Sequence, residues 1–69
     1  MKMHKIESAF IQEAGYEEEA EVMKIVFGNG KSFDILNVPV EVFEEFLNAE
    51  SQGKFYHKEI KNKFTHREA

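Results

Sequence analysis

Cysteine and tryptophan are absent from this 69-residue chain, and proline occurs only once. Without cysteine there are no disulfides and no thiolate–metal ligands to supplement a core. The lack of cysteine also fits the cytoplasm, which is the expected location. No apolar run approaches the ~20 residues that a membrane-spanning helix needs, so no membrane partner is expected. The start, residues 1–4, is charged, but no apolar stretch follows it, and it does not read as a signal peptide. The serines Ser8, Ser32 and Ser51 lack the setting of a nucleophile elbow, so the chain reads as non-enzymatic. Metal ligands are not gathered either. His57 and His66 lie nine positions apart, which on a continuous helix turns them about 180° from each other. Glu17-Glu18-Glu19 offers oxygen atoms without the glycine-containing loop of a calcium site. No cofactor is expected.

Seven phenylalanines and two tyrosines are present instead. At this length the chain makes a single domain, residues 1–69, and folding buries roughly 60% of the surface exposed by the unfolded chain. The core must therefore come from aromatic and aliphatic side chains, each buried aromatic removing on the order of 150–250 Å² from water. Net charge is −4 and unevenly placed. Residues 7–50 carry eleven acids against Lys24 and Lys31, a net of −9. Residues 51–69 carry Lys54, Lys58, Lys61, Lys63 and Arg67 against Glu59 and Glu68, a net of +3.

Residues 21–27 alternate, with Met23, Ile25 and Phe27 on one side and Val22, Lys24 and Val26 on the other. Residues 31–36 alternate as well, with Phe33 and Ile35 opposite Ser32 and Asp34. Gly28-Asn29-Gly30 between them signals a hairpin. A two-residue loop would place Ser32 and Asp34 on the apolar face. A three-residue loop pairs Ile25 with Phe33, Met23 with Ile35 and Lys24 with Asp34. Only this register unites the apolar set, and it puts Gly30 at the left-handed position that such loops favour. Residues 10–16 supply a first strand of open register.

Pro39, which has no amide hydrogen for a ladder, ends the sheet and suits the first turn of a helix. That helix runs over residues 39–49, burying Val42, Phe43, Phe46, Leu47 and Ala49 and exposing Glu41, Glu44, Glu45 and Asn48. Ser51-Gln52-Gly53 breaks it. A second helix is expected over residues 54–64, with Tyr56, Ile60 and Phe64 as its core stripe and Lys54, Lys58 and Lys61 nearly opposite. The fold class is α+β: a three-stranded antiparallel meander followed by two helices, βββαα. The ordered core is expected over residues 8–64, with 1–6 and 65–69 as loose termini.

This ordered set of residues resembles the KTSC domain, named after the C-terminal extension of some lysyl-tRNA synthetases and also found as small free-standing bacterial and phage proteins. Phe33-Asp34-Ile35-Leu36-Asn37-Val38-Pro39 resembles the family's aromatic-x-aromatic motif followed by Asn-Val-Pro, although the family usually has Tyr at both aromatic positions. Gly15-Tyr16 resembles its Gly-Tyr step after the first strand. Glu41-Val42-Phe43 and the run from Leu47 through Ser51-x-Gly53-Lys54-Phe55 resemble its helix and Ser-x-Gly turn. Ile60-Lys61 and Phe64 resemble its closing positions. The resemblance implies a module of unknown molecular function, with RNA binding suggested by the synthetase context. The missing tyrosines imply weakened nucleic-acid contacts here.

Two functional classes follow. The stripe of Lys54, Lys58 and Lys61, with His57, Lys63 and Arg67 nearby, is the nucleic-acid candidate, because lysines at helical spacing meet phosphates on successive turns and Phe55 or Tyr56 could stack beside them. Against it stands the acidic body of the chain. The alternative is a protein-interaction or phage-associated accessory role, by a protein partner or self-association, through the outer sheet face with Val22, Val26 and Leu36 or an open strand edge.

Overall fold

The computed structural model describes residues 2–69. Its sheet has five strands in the order of the chain: β1 (Lys2–Lys5), β2 (Ile11–Glu17), β3 (Val22–Phe27), β4 (Ser32–Ile35) and β5 (His66–Glu68). All neighbours are antiparallel. Between β4 and β5 lie α1 (Val40–Asn48) and α2 (Gln52–Phe55), the latter continuing into a wide π turn, Tyr56–Ile60.

The β3–β4 hairpin has the register expected from its pattern, with Met23 opposite Ile35, Lys24 opposite Asp34 and Ile25 opposite Phe33. Phe27 N–H donates to the Lys31 carbonyl at 2.8 Å, which closes the loop over Gly28, Asn29 and Gly30. Gly30 sits at φ +88°, where a side chain would be strained. On β2, Ile11 and Ala14 are both fully buried although they are three positions apart. A β-bulge between Ile11 and Glu13 reconciles this, since the extra residue Gln12 resets the alternation.

The helices cover one face of the sheet. Ala14, Met23, Ile25 and Ile35 from the strands meet Val38, Phe43, Phe46, Tyr56 and Ile60 in a single core. Pro39 stands as the N-cap of α1 at φ −63°, one position earlier than expected. The entry to α1 is fixed by Val38, whose N–H donates to the Glu21 carbonyl and whose carbonyl accepts the Tyr16 hydroxyl. The Tyr16 ring in turn stacks on Phe43 at 5.1 Å. Burial, with Glu21, Glu18 and Glu41 nearby, pushes the Tyr16 hydroxyl above its ordinary pKa, so it remains a donor.

Three expectations are corrected. The meander is flanked by two more strands, because both termini pair: residues 2–5 with β2 and residues 66–68 with β4. Residue 1 lies outside the described residues. The terminal segments Lys-Met-His-Lys and His-Arg-Glu carry charges, as edge strands commonly do, and so lack the apolar alternation that marks β3. Finally, the second helix begins at Gln52 and closes at Ile60, not Phe64. A bond from Lys61 N–H to the Tyr56 carbonyl at 2.8 Å widens the last turn, and Lys63 N–H to the Ile60 carbonyl turns the chain back. That return brings the Thr65 carbonyl to Leu36 N–H at 2.9 Å and starts the last ladder.

Candidate nucleic-acid interface

Ser51 caps the second helix, its hydroxyl accepting from Lys54 N–H at 3.3 Å. Tyr56 and Ile60 then face the core and are buried, so Lys54, His57 and Lys58 are exposed on the solvent side. Lys61 is exposed in the turn that follows. Among the described residues none of these three lysines has an ion-pair partner. Lys54 and Lys58 border a groove that also holds Glu45 and Glu50, from α1 and the residues just after it, and Glu59 from the second helix itself. The lysines therefore stand on a mixed surface rather than a uniformly basic one.

The other two members of the expected cluster are placed differently. Lys63 is bound to Glu59 at 3.1 Å, one turn back. Arg67 lies on β5 opposite Asp34, with 3.4 Å between guanidinium and carboxylate. Asp34 is on the sheet face away from the helices, so Arg67 is separated from the lysine surface. It also takes the carboxylate that the hairpin register placed opposite Lys24. In both pairs the cation is exposed and the carboxylate partly so, and such pairs contribute little to stability.

One residue of this surface was hidden in the sequence. Phe10 is assigned by pattern to the first strand, yet it lies in a bend before β2 and is 41% exposed. Its ring stacks on His57 with centroids 4.8 Å apart and planes 29° apart. Behind it stand Phe27 at 5.2 Å and Tyr56 at 6.0 Å. Gly28 lets the bend approach so closely, while at Gly53 a side chain would meet only ordinary contacts. A Cβ on Gly28 would come within 2.7 Å of the Ala9 carbonyl oxygen, and one on Gly53 within 3.5 Å of Ser8 Oγ. Gly28 N–H donates to the Phe10 carbonyl at 2.8 Å, pinning the bend to the hairpin turn. The adjacency of Phe10 and Ile11, two apolar residues in a row at a strand start, was the one sequence signal for it.

The three histidines have separate surroundings. His57 is on Phe10, His4 is 5.9 Å from Phe43, and His66 is held by two hydrogen bonds. The Phe64 carbonyl can only accept, so His66 Nδ1 donates to it, and Nε2 shares a 2.9 Å hydrogen bond with the Tyr56 hydroxyl. Burial raises the Tyr56 pKa, which keeps that hydroxyl protonated. The aromatic motif positions Phe33 and Ile35 both face the helices, and Ile35 is fully buried. Their lack of tyrosine hydroxyls is therefore a difference on the core side of the sheet. No helix among the described residues is long and apolar enough to cross a membrane.

The comparisons with known proteins agree with this architecture. A solved KTSC domain protein from Yersinia pestis superposes with a TM-score of 0.95 at 28% identity, over 99% of this chain and 96% of that one. A protein of Tsukamurella paurometabola is 36% identical over 62 residues, covering 90% of this chain and 92% of its own length. A lysine–tRNA ligase from Trichormus variabilis is 40% identical over 60 residues, 87% of this chain. This chain corresponds to only 11% of that ligase. The profile of the KTSC domain matches residues 7–64, and the chain belongs to the KTSC domain family.

Proposed function

We propose that this KTSC domain is a non-enzymatic binding module that contacts RNA through the surface formed by Lys54, His57, Lys58 and Lys61 beside Phe10. The observation that carries this reading is the juxtaposition of unpaired lysines with an exposed stacked aromatic pair. Lysines neutralise phosphates without regard to sequence, and an exposed ring offers stacking that any base accepts. The occurrence of a homologous segment in a lysine–tRNA ligase, whose name states that it acts on a tRNA, supports the same direction. A cytoplasmic location fits it. The affinity is weak by design of the charges, since the body of the chain is acidic and Glu50 and Glu59 border the lysines.

The test is titration of the protein with tRNA and with single-stranded RNA at about 50 and about 200 mM salt. Binding should fall steeply with salt, and Lys58→Ala with Lys61→Ala should flatten that dependence. Absence of binding at the lower salt rejects the reading. The bare sheet face supports a second one. Met3, Val22, Val26 and Leu36 are only half-buried there, and a protein partner or second copy on this face would register as a larger mass in light scattering.

A further inference from the structure

We propose that the cleft between the Ala9–Phe10 bend and the β3–β4 turn seats one unpaired nucleobase, stacked on the Phe10 ring. The inference rests on the RNA reading above and makes it specific: the ligand is single-stranded RNA held by a base, with its phosphates toward the lysines of the second helix. The cleft has a volume of about 310 Å³ and is lined by Ala9, Phe10, Phe27, Gly28 and Asn29. That is the lower end of the range of small-molecule sites.

Three features make it a stacking seat rather than a gap in the surface. The first is support for the ring. Phe10 is braced by His57, by Phe27 and by Tyr56, so an incoming base meets a held platform and little side-chain order is lost on binding. His57 is not among the cleft's lining residues, and with His57, Phe27 and Tyr56 against it Phe10 is still 41% exposed. The second is a polar edge. Asn29 Oδ1 accepts the Lys31 N–H at 3.0 Å, and its side-chain NH₂ has no protein acceptor among the described residues. An amide donor at the rim of an apolar cleft suits the ring nitrogens and carbonyls of a base, and an alkyl ligand could not use it. The third is charge. Lys31 leaves the same turn, and Gly53, which carries Lys54 behind it, packs against the Phe10 side chain. Two lysines thus leave segments that border the ring, one from the turn and one from the start of the second helix. Among the described residues no acid lines the cleft itself, and Glu50 borders Lys54 in the neighbouring groove.

The experiment is fluorescence anisotropy at about 50 mM salt with a short labelled single-stranded RNA, a blunt RNA duplex of equal length, and a single strand carrying abasic sites. The wild-type protein should prefer the intact single strand and lose affinity for the abasic one. Phe10→Ala should weaken single-strand binding roughly 5- to 150-fold, the range for loss of one base–aromatic stack, and leave duplex binding unchanged. Phe10→Tyr should retain it. Since Phe10 also packs on Phe27 and Tyr56, Phe10→Leu provides a variant that keeps the bulk and removes the aromatic face, and it should lose binding likewise. Equal affinity for intact and abasic strands, or unchanged binding by Phe10→Leu, overturns the base seat while the RNA reading stands. No binding to any of the three RNAs by the wild-type protein overturns both.

Discussion

The β3–β4 hairpin and the C-terminal return, residues 61–69, lie side by side in one sheet and are held by different means. The hairpin is fixed by pattern. Its alternation, its glycine at φ +88° and its cross-strand pairs all specify one register, and a slip of one residue would turn Ser32 and Asp34 into the core. The return has no such pattern. β5 is three residues long and exposes Arg67 and Glu68. It is placed by particular contacts: Tyr56 to His66, His66 to the Phe64 carbonyl, Arg67 to Asp34, and the backbone bonds to Leu36 and Ser32. A register coded by periodicity survives the loss of one side chain. A strand coded by contacts depends most on the few that are partly buried, among them the Tyr56–His66 bond.

Phe46→Ala should abolish the difference by removing the core that both regions share. Phe46 is fully buried, and its truncation costs about 3–5 kcal/mol, much of the ~5–15 kcal/mol that stabilises a typical domain. Both regions should lose hydrogen-exchange protection together, with a single lowered unfolding midpoint. Gly30→Ala acts on the hairpin alone. A Cβ meets no atom within 4 Å there, so its cost is conformational, about 1–2 kcal/mol for a left-handed L-residue, readable by chemical denaturation. Tyr56→Phe acts on the return. Loss of its hydrogen bond to His66 should cost about 0.5–1.5 kcal/mol, and amides of β5 should exchange faster while those of β3 stay protected.

The two tyrosines give a pH signature of the same contacts. Both have raised pKa values in the folded state, Tyr56 by burial and Tyr16 by burial with neighbouring glutamates. Each contributes stability that is fully present below the ordinary pKa of 10.0 and is lost as pH rises through the raised value. Unfolding midpoints should therefore hold below about pH 9 and fall above about pH 10, less steeply in Tyr56→Phe. Arg67→Ala should have the smallest effect, at most about 1 kcal/mol, because its ion pair is exposed.

The division between pattern and contact also accounts for what could be read in the chain. The hairpin register, the helix after Pro39 and the core roles of Tyr56 and Ile60 are legible because each follows from a period or a fixed dihedral. The edge strands are not, since Lys2–Lys5 and His66–Glu68 gain strand structure only from neighbours that sequence does not display. The end of the second helix escapes for a related reason: a single wide turn at Tyr56 carries no local signature. Of the candidate site, Lys54, His57, Lys58 and Lys61 are legible as an exposed surface. Arg67 is not, as its carboxylate partner Asp34 becomes a neighbour only after folding, whereas the pairing of Lys63 with Glu59 follows from their i,i+4 spacing and is open to reading. Phe10 is hidden because it lies in the bend before β2, pinned to the hairpin turn by the Gly28 N–H, a tertiary contact with no local sequence period.

Amide chemical-shift mapping on titration with single-stranded RNA tests the placement of binding most directly. Expected are shifts confined to the Ala9–Phe10 bend, the Gly28–Asn29 turn and the second helix around Lys54 and Lys58. No shifts at the lowest salt, or shifts centred instead on Met3, Lys24 and Val26 of the bare sheet face, would contradict it.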